Sequence, residues 1–294
     1  MSVVAVGSRR VLRYEGSGGV ALEAELTGDE VGLPVVLLHG GGQTRHAWDE
    51  AATRIAALGF YVVVPDLRGH GRSGWSDGGD YAVERFAEDL RALAALLAQP
   101  PVLVGASLGG LTSLIAAGEA PQLAVSLVVL VDVAHRAQPE GVSRILEFMQ
   151  ARPDGFANVD EAAAAVAAYL PHRVPPPDAS GLQHNLRRRS DGRYVWHWDP
   201  ALLDGIAMLS SERLLAAARA VSAPLLLVRG GISDVVDGDI ADELVARVPG
   251  ADLVHVEGAG HMVAGDRNDR FVGAILPALR RAADSSSSSN AIAK

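Results

Sequence analysis

The sequence predicts an α/β protein, with a mostly parallel sheet covered by helices on both faces and a helical cap inserted late in the chain. Three observations lead there. Short continuous apolar runs, such as Val35-Val-Leu-Leu38, Val102-Leu-Val104 and Leu127 to Val131, suit strands buried on both faces. Segments of helical spacing separate them, as parallel strands need long crossovers. The runs end in glycine-rich or acidic turns at His39, Asp66, Ser107 and Asp132, and ligands bind at the carboxyl ends of strands in such sheets.

Taken in order, Val11 to Gly16 and Val20 to Leu26 flank Ser17-Gly-Gly19 and read as an edge hairpin. Val35 to Leu38 is the first buried strand and runs into His39-Gly-Gly-Gly42. Trp48 to Leu58 has helical spacing and stops at Gly59. Tyr61 to Val64 is the next strand, followed by the glycine-punctuated loop Asp66 to Gly74. A helix over Val83 to Ala98 closes at Pro100-Pro101. After the strands at 102–104 and 127–131 the rhythm breaks. Between Ala134 and Arg219 come helical pieces (Val142 to Ala151, Asp160 to Tyr169), Pro175-Pro-Pro177, the aromatic run Tyr194-Val-Trp-His-Trp198 and a helix over Ala201 to Ala220. That length without a sheet strand suits an inserted cap better than a loop. Leu225 to Val228 and Asp252 to Val256 resume the sheet, and Arg270 to Ala283 closes the chain. The expected organisation is a core of 1–133 and 220–284, a helical cap of 134–219 and a disordered serine-rich tail of 285–294.

Composition narrows the function. The formal net charge is −9, with no basic stripe to release counterions from phosphates, which argues against a nucleic-acid partner. The chain has no cysteine, so disulfides, thiolate nucleophiles and Cys-ligated metals are ruled out and a reducing cytoplasm fits. Met1 to Arg10 lacks the apolar run of a signal peptide, and no segment approaches a membrane span. No metal-ligand spacing and no dinucleotide or phosphate-loop fingerprint is present, so no cofactor is expected. Self-association into a homo-oligomer stays open.

The chemistry centres on Gly105-Ala-Ser-Leu-Gly109, placed between a strand and a helix. A sharp turn there strains the serine backbone, demands small neighbours two residues to either side, and lifts the hydroxyl clear of the sheet. The N–H of Leu108, at the helix start, then points where an oxyanion would form. A serine hydroxyl needs a base oriented by an acid. His261 follows a buried strand through a Gly-Ala-Gly turn and is the expected base, whereas His255 lies within the strand. Asp234, after Gly230-Gly231 at a strand end, is the favoured acid, with Asp132 at the preceding strand end as its rival. Gly41 is the expected second oxyanion donor, and His39 is expected to brace the glycine loop through its backbone. Gly40, Gly42, Trp48, Trp196, Trp198 and Met262 are the candidate substrate contacts, with His46 and His197 more plausible as packing residues.

Five stretches together resemble the α/β-hydrolase superfamily, in its branch with an inserted cap: His39-Gly-Gly-Gly42 with Trp48, Asp66 to Ser73, Gly105 to Gly109, Gly231-Ile-Ser-Asp234 and Gly258-Ala-Gly-His261. The resemblance implies an α/β-hydrolase fold with about eight strands and a triad of Ser107, Asp234 and His261. Epoxide hydrolases and haloalkane dehalogenases carry aspartate at the elbow, so Ser107 points instead to the esterase, haloperoxidase-like and carbon–carbon hydrolase relatives. The expected activity is hydrolysis of a small, mostly apolar carboxylic ester or lactone through an acyl-enzyme. The alternatives are carbon–carbon bond hydrolysis and a hydrolase-fold small-molecule receptor with slow turnover.

Overall fold

The apolar runs form the centre of one sheet in the computed structural model, which describes the backbone of residues 1–6, 9–173, 178–205 and 209–292. The strands are β1 (Ser2–Val6), β2 (Arg9–Glu15), β3 (Ala21–Thr27), β4 (Pro34–Leu38), β5 (Tyr61–Pro65), β6 (Val102–Ala106), β7 (Leu127–Val131), β8 (Leu186–Arg188), β9 (Tyr194–Trp196), β10 (Leu225–Gly230) and β11 (Ala251–Val256). The main sheet has the order β1-β2-β3-β5-β4-β6-β7-β10-β11. β5, β4, β6, β7, β10 and β11 run parallel, and β1, β2 and β3 form an antiparallel edge. This is one strand more than the resemblance implied, because Ser2–Val6 pairs onto β2. An edge strand has one neighbour only, so its pairing is not carried by a buried apolar run.

Alternation within each strand builds two cores. Leu103, Leu130 and Leu227 face one side, together with Phe86 and Leu93 of α2 (Val83–Ala94) and Leu114 of α3 (Leu108–Gly118). Val102, Val104 and Val129 face the other, together with Ile55 of α1 (Asp49–Ala56) and Phe271 of the closing helix. β4 and β7 are buried along their whole length, as strands covered on both faces must be. Because β6 lies between β4 and β7, its end is flanked by the loops that follow both.

The insertion after β7 holds α4 (Pro139–Gln150), α5 (Val159–Tyr169), the β8–β9 hairpin and α6 (Leu202–Gly205). It is therefore not purely helical: Leu186 pairs with Trp196 in a two-stranded ribbon. The helix expected over Ala201 to Ala220 appears as α6 and α7 (Ser211–Ala220), with residues 206–208 outside the described ones. The Ser210 hydroxyl caps α7 by accepting the Arg213 N–H. Although placed in the expected cap, α7 packs on α3 so closely that a Cβ at Gly118 would lie 2.2 Å from the Ala217 carbonyl. Its Leu214 and Leu215 belong to the sheet core. Pro175 to Pro177 lie outside the described residues. Beyond β10, α8 (Gly238–Arg247) and the short α9 (Val263–Asp266) lead to α10 (Asn268–Ile292), whose helical backbone continues through the serine run expected to be disordered.

Candidate active site

Ser107 sits between β6 and α3 with φ 48° and ψ −116°, a left-handed conformation that L-residues avoid. The glycines around it are required by close backbone approach. A Cβ at Gly105 would lie 2.3 Å from the Gly109 carbonyl, and one at Gly109 would lie 2.4 Å from that of Leu38. The strand can therefore turn into the helix without opening, and Ser107 stays partly exposed at the end of the sheet.

Asp132 also has a left-handed backbone, at φ 51°, the second such non-glycine residue among the described ones. Its carboxylate is fully buried and accepts three hydrogen bonds, from the Gly230 N–H at 2.9 Å, from the Ser233 hydroxyl and from His261 Nδ1 at 2.8 Å. Asp234, favoured from the sequence, does not reach His261. It forms an ion pair with Arg144 of α4 and faces the insertion. The physical reason lies in the sheet order: β7 lies directly beside β6, and β10 is one strand further out. Both aspartates give the chain order serine, aspartate, histidine, so order alone could not separate them. Ser233 was missed; its only sequence signal was its place one residue before the favoured aspartate. His255 is exposed on β11, away from this cluster.

The loop after β4 lies against the elbow. A Cβ at Gly40 would meet Ser107 Cβ at 3.4 Å, and one at Gly41 would meet Leu108 Cδ2 at 4.0 Å. The Gly40 carbonyl accepts from His39 Nδ1 at 2.8 Å and from the Gln43 N–H at 3.1 Å. In a trans peptide the N–H points opposite its carbonyl, so the Gly41 N–H is turned away from both. Among the described residues, neither the Gly41 N–H nor the Leu108 N–H is taken by a protein acceptor. Gly40 N–H donates to Gln43 Oε1 at 3.0 Å, a contact that sequence reading did not anticipate.

The candidate substrate contacts divide. Trp198 is buried and stacks on half-buried Trp196 with centroids 5.0 Å apart. Phe148 packs on Trp196 and stacks on Tyr169 at 4.2 Å. Trp198 and Met149 close over Gly42, whose added Cβ would touch them at 3.3 and 3.2 Å. Met262, half-buried, directly follows His261 at the start of α9. Trp48 belongs elsewhere. It is 1% exposed and packs on Phe271 on the opposite side of the sheet, because the helical spacing after the glycine loop turns it into the core. His46 stacks on His184 and pairs with Asp49.

Asp66 ties the neighbouring loop together by accepting from Arg45 Nη1 and N–H, both at 2.8 Å, and from the Arg72 N–H at 2.9 Å. Around it lie His39, His70 and His197, all buried. Burial holds each imidazole down to about 3, so all three are neutral at physiological pH. Below about pH 6.5 the unfolded chain binds protons at these positions and the folded chain does not, so stability falls as pH drops towards 3. In urea titrations the contribution of these three groups should be constant above about pH 7 and, near pH 5, should add roughly three protons to the uptake on unfolding. His197→Gln should remove about one of them. Equal proton uptake in that variant and the wild type would contradict the assignment.

Among the described residues, no group of three His, Asp or Glu side chains is arranged to hold a metal, and no helix is long and apolar enough to cross a membrane. The chain is 36% identical over 244 residues to Esterase Rv0045c of Mycobacterium tuberculosis, covering 79% of this chain and 78% of that one. It is 30% identical to a 3-hydroxybutyrate-oligomer hydrolase of Cupriavidus necator, covering 78% and 83% of the two chains. The crystal structure of an alpha/beta hydrolase from Novosphingobium aromaticivorans superposes with a TM-score of 0.78 at 26% identity, covering 94% of this chain and 100% of that one. Residues 35–274 match the model of the alpha/beta hydrolase family, and with the elbow and sheet order described above, the chain belongs to that family.

Proposed function

We propose that the protein is a serine hydrolase acting on a small, mostly apolar carboxylic ester or lactone, with Ser107 as nucleophile, His261 as base and Asp132 as the acid that orients it. The observation that carries this reading is the 2.8 Å contact between His261 Nδ1 and the buried Asp132 carboxylate, at the end of the strand beside the one that leads into the left-handed Ser107. That contact assigns the proton to Nδ1 and leaves Nε2 free to take the Ser107 proton. Attack on the carbonyl gives a tetrahedral oxyanion, which the Gly41 and Leu108 N–H groups stabilise; each such donor contributes roughly 3 kcal/mol. His261 returns the proton to the departing alkoxide, which remains tethered to the acyl group if the substrate is a lactone. Water, activated by the same imidazole, then releases the acid and restores Ser107.

The apolar preference rests on Phe148, Met149, Trp196 and Trp198 beside the oxyanion loop. The similarity to an esterase supports ester over carbon–carbon cleavage. A panel of p-nitrophenyl esters and lactones of graded size, run beside an aryl phosphonate, tests the proposal. Ester or lactone turnover is expected, lost in step with a single phosphonyl adduct on Ser107. Absence of both the adduct and turnover would refute it, and faster cleavage of a vinylogous diketone than of any ester would move the chain to the carbon–carbon hydrolases.

A further inference from the structure

The oxyanion loop is held by a histidine that comes from the insertion. Gly42 has φ 75° and no side chain, so its peptides have little intrinsic preference for one orientation. Its N–H donates to His70 Nε2 at 3.0 Å, while His70 Nδ1 faces the Arg68 carbonyl at 2.8 Å. Its carbonyl lies 3.4 Å from His197 Nε2, and His197 Nδ1 accepts the Gly71 N–H at 2.8 Å. These partners fix both tautomers: His70 carries its proton on Nδ1, and His197 carries its proton on Nε2 and donates to Gly42.

Peptide planarity extends this contact to the chemistry. The Gly42 carbonyl and the Gln43 N–H belong to one rigid plane, and the Gln43 N–H donates to the Gly40 carbonyl at 3.1 Å. That carbonyl shares its own peptide plane with the Gly41 N–H, the oxyanion donor of the proposed mechanism. His197 is thus two rigid peptide planes away from the donor. His197 directly follows β9, and its neighbour Trp198 closes over Gly42. When the insertion is docked the chain of contacts is complete.

We propose that His197 is a positioning residue for the oxyanion site, assisted by His70, and that it makes the orientation of the Gly41 N–H depend on docking of the insertion. The inference rests on the hydrolase reading above. Its test exploits the fact that a glutamine amide reaches the place of Nε2, whereas an asparagine amide reaches only that of Nδ1. His197→Asn is expected to lower kcat about 10- to 100-fold with KM nearly unchanged, and to weaken an aryl trifluoromethyl ketone by the same factor, because its bound hemiketal oxyanion needs the same donors. Amide exchange at residues 42–44 should accelerate about 10-fold in that variant. His197→Gln should stay within about threefold of wild type in all three measurements. His70→Asn, which loses the acceptor for the Gly42 N–H, should resemble His197→Asn, and His70→Gln should not.

Equal losses in the glutamine and asparagine variants, a change confined to KM, or faster exchange with unchanged kcat would each overturn the proposal. If the wild type turns over no ester or lactone, the hydrolase reading itself fails; the exchange comparison still decides whether His197 holds the loop.

Discussion

Ser107→Ala is expected to lower kcat/KM for the best ester by at least about 10⁴-fold while leaving the fold intact. Alanine meets the same left-handed backbone that serine already occupies at φ 48°, so the substitution adds no new backbone strain. Among the described residues, the bonds that hold the elbow are made by backbone groups: the Ser107 N–H donates to the Val131 carbonyl at 3.3 Å, and the Ser107 carbonyl accepts the Gly110 and Leu111 N–H groups at 2.8 and 3.0 Å. The thermal midpoint should therefore move by no more than about 2 °C. The oxyanion donors and pocket remain, so the variant should still bind a non-covalent ester analogue. Loss of turnover with binding and stability retained isolates the nucleophile. Turnover within about tenfold of wild type would remove Ser107 from the mechanism.

Asp132→Asn should lower kcat by about 10⁴-fold, and Asp234→Asn should leave it within about threefold. In the proposed mechanism the Asp132 carboxylate, 2.8 Å from His261 Nδ1, holds the proton there and stabilises the imidazolium formed during attack. An asparagine amide in its place can present an N–H to Nδ1, which favours the wrong tautomer and puts the proton on the nitrogen that must act as base. Asparagine tolerates φ 51° well, so a folding defect is not the expected outcome. Asp234 has its partner in Arg144, an ion pair whose side chains are 55% and 34% exposed, which limits its effect on stability to at most about 1 kcal/mol. Measuring both variants on one ester, with thermal midpoints alongside, assigns the acid. The opposite pattern would restore Asp234.

Much of the fold was readable from local pattern. Continuous apolar runs at 35–38, 102–104 and 127–131 suit strands covered on both faces, and the glycines at 105 and 109 mark a backbone approach closer than any side chain permits. Those signals sit within a few residues of each other, so they survive in one dimension. Ser107, His261 and the glycine loop can be picked out as candidates in the same way, since each ends or follows a recognisable strand. Trp48 was misjudged because adjacency to a functional loop does not reveal which face of the sheet a side chain turns to.

Which aspartate meets His261, the Ser233 contact and the bracing of Gly42 depend on which segments lie side by side. Asp132 and Asp234 share residue type, strand-end position and chain order with respect to the other two residues, so local sequence does not separate them. Strand order separates them: β7 adjoins β6, and the left-handed turn at Asp132 brings its carboxylate to His261, while Asp234 meets a helix of the insertion. His197 reaches Gly42 across 155 positions of chain. Contacts of that span follow from packing the insertion against the sheet, where burial and hydrogen-bond satisfaction act between segments rather than within them.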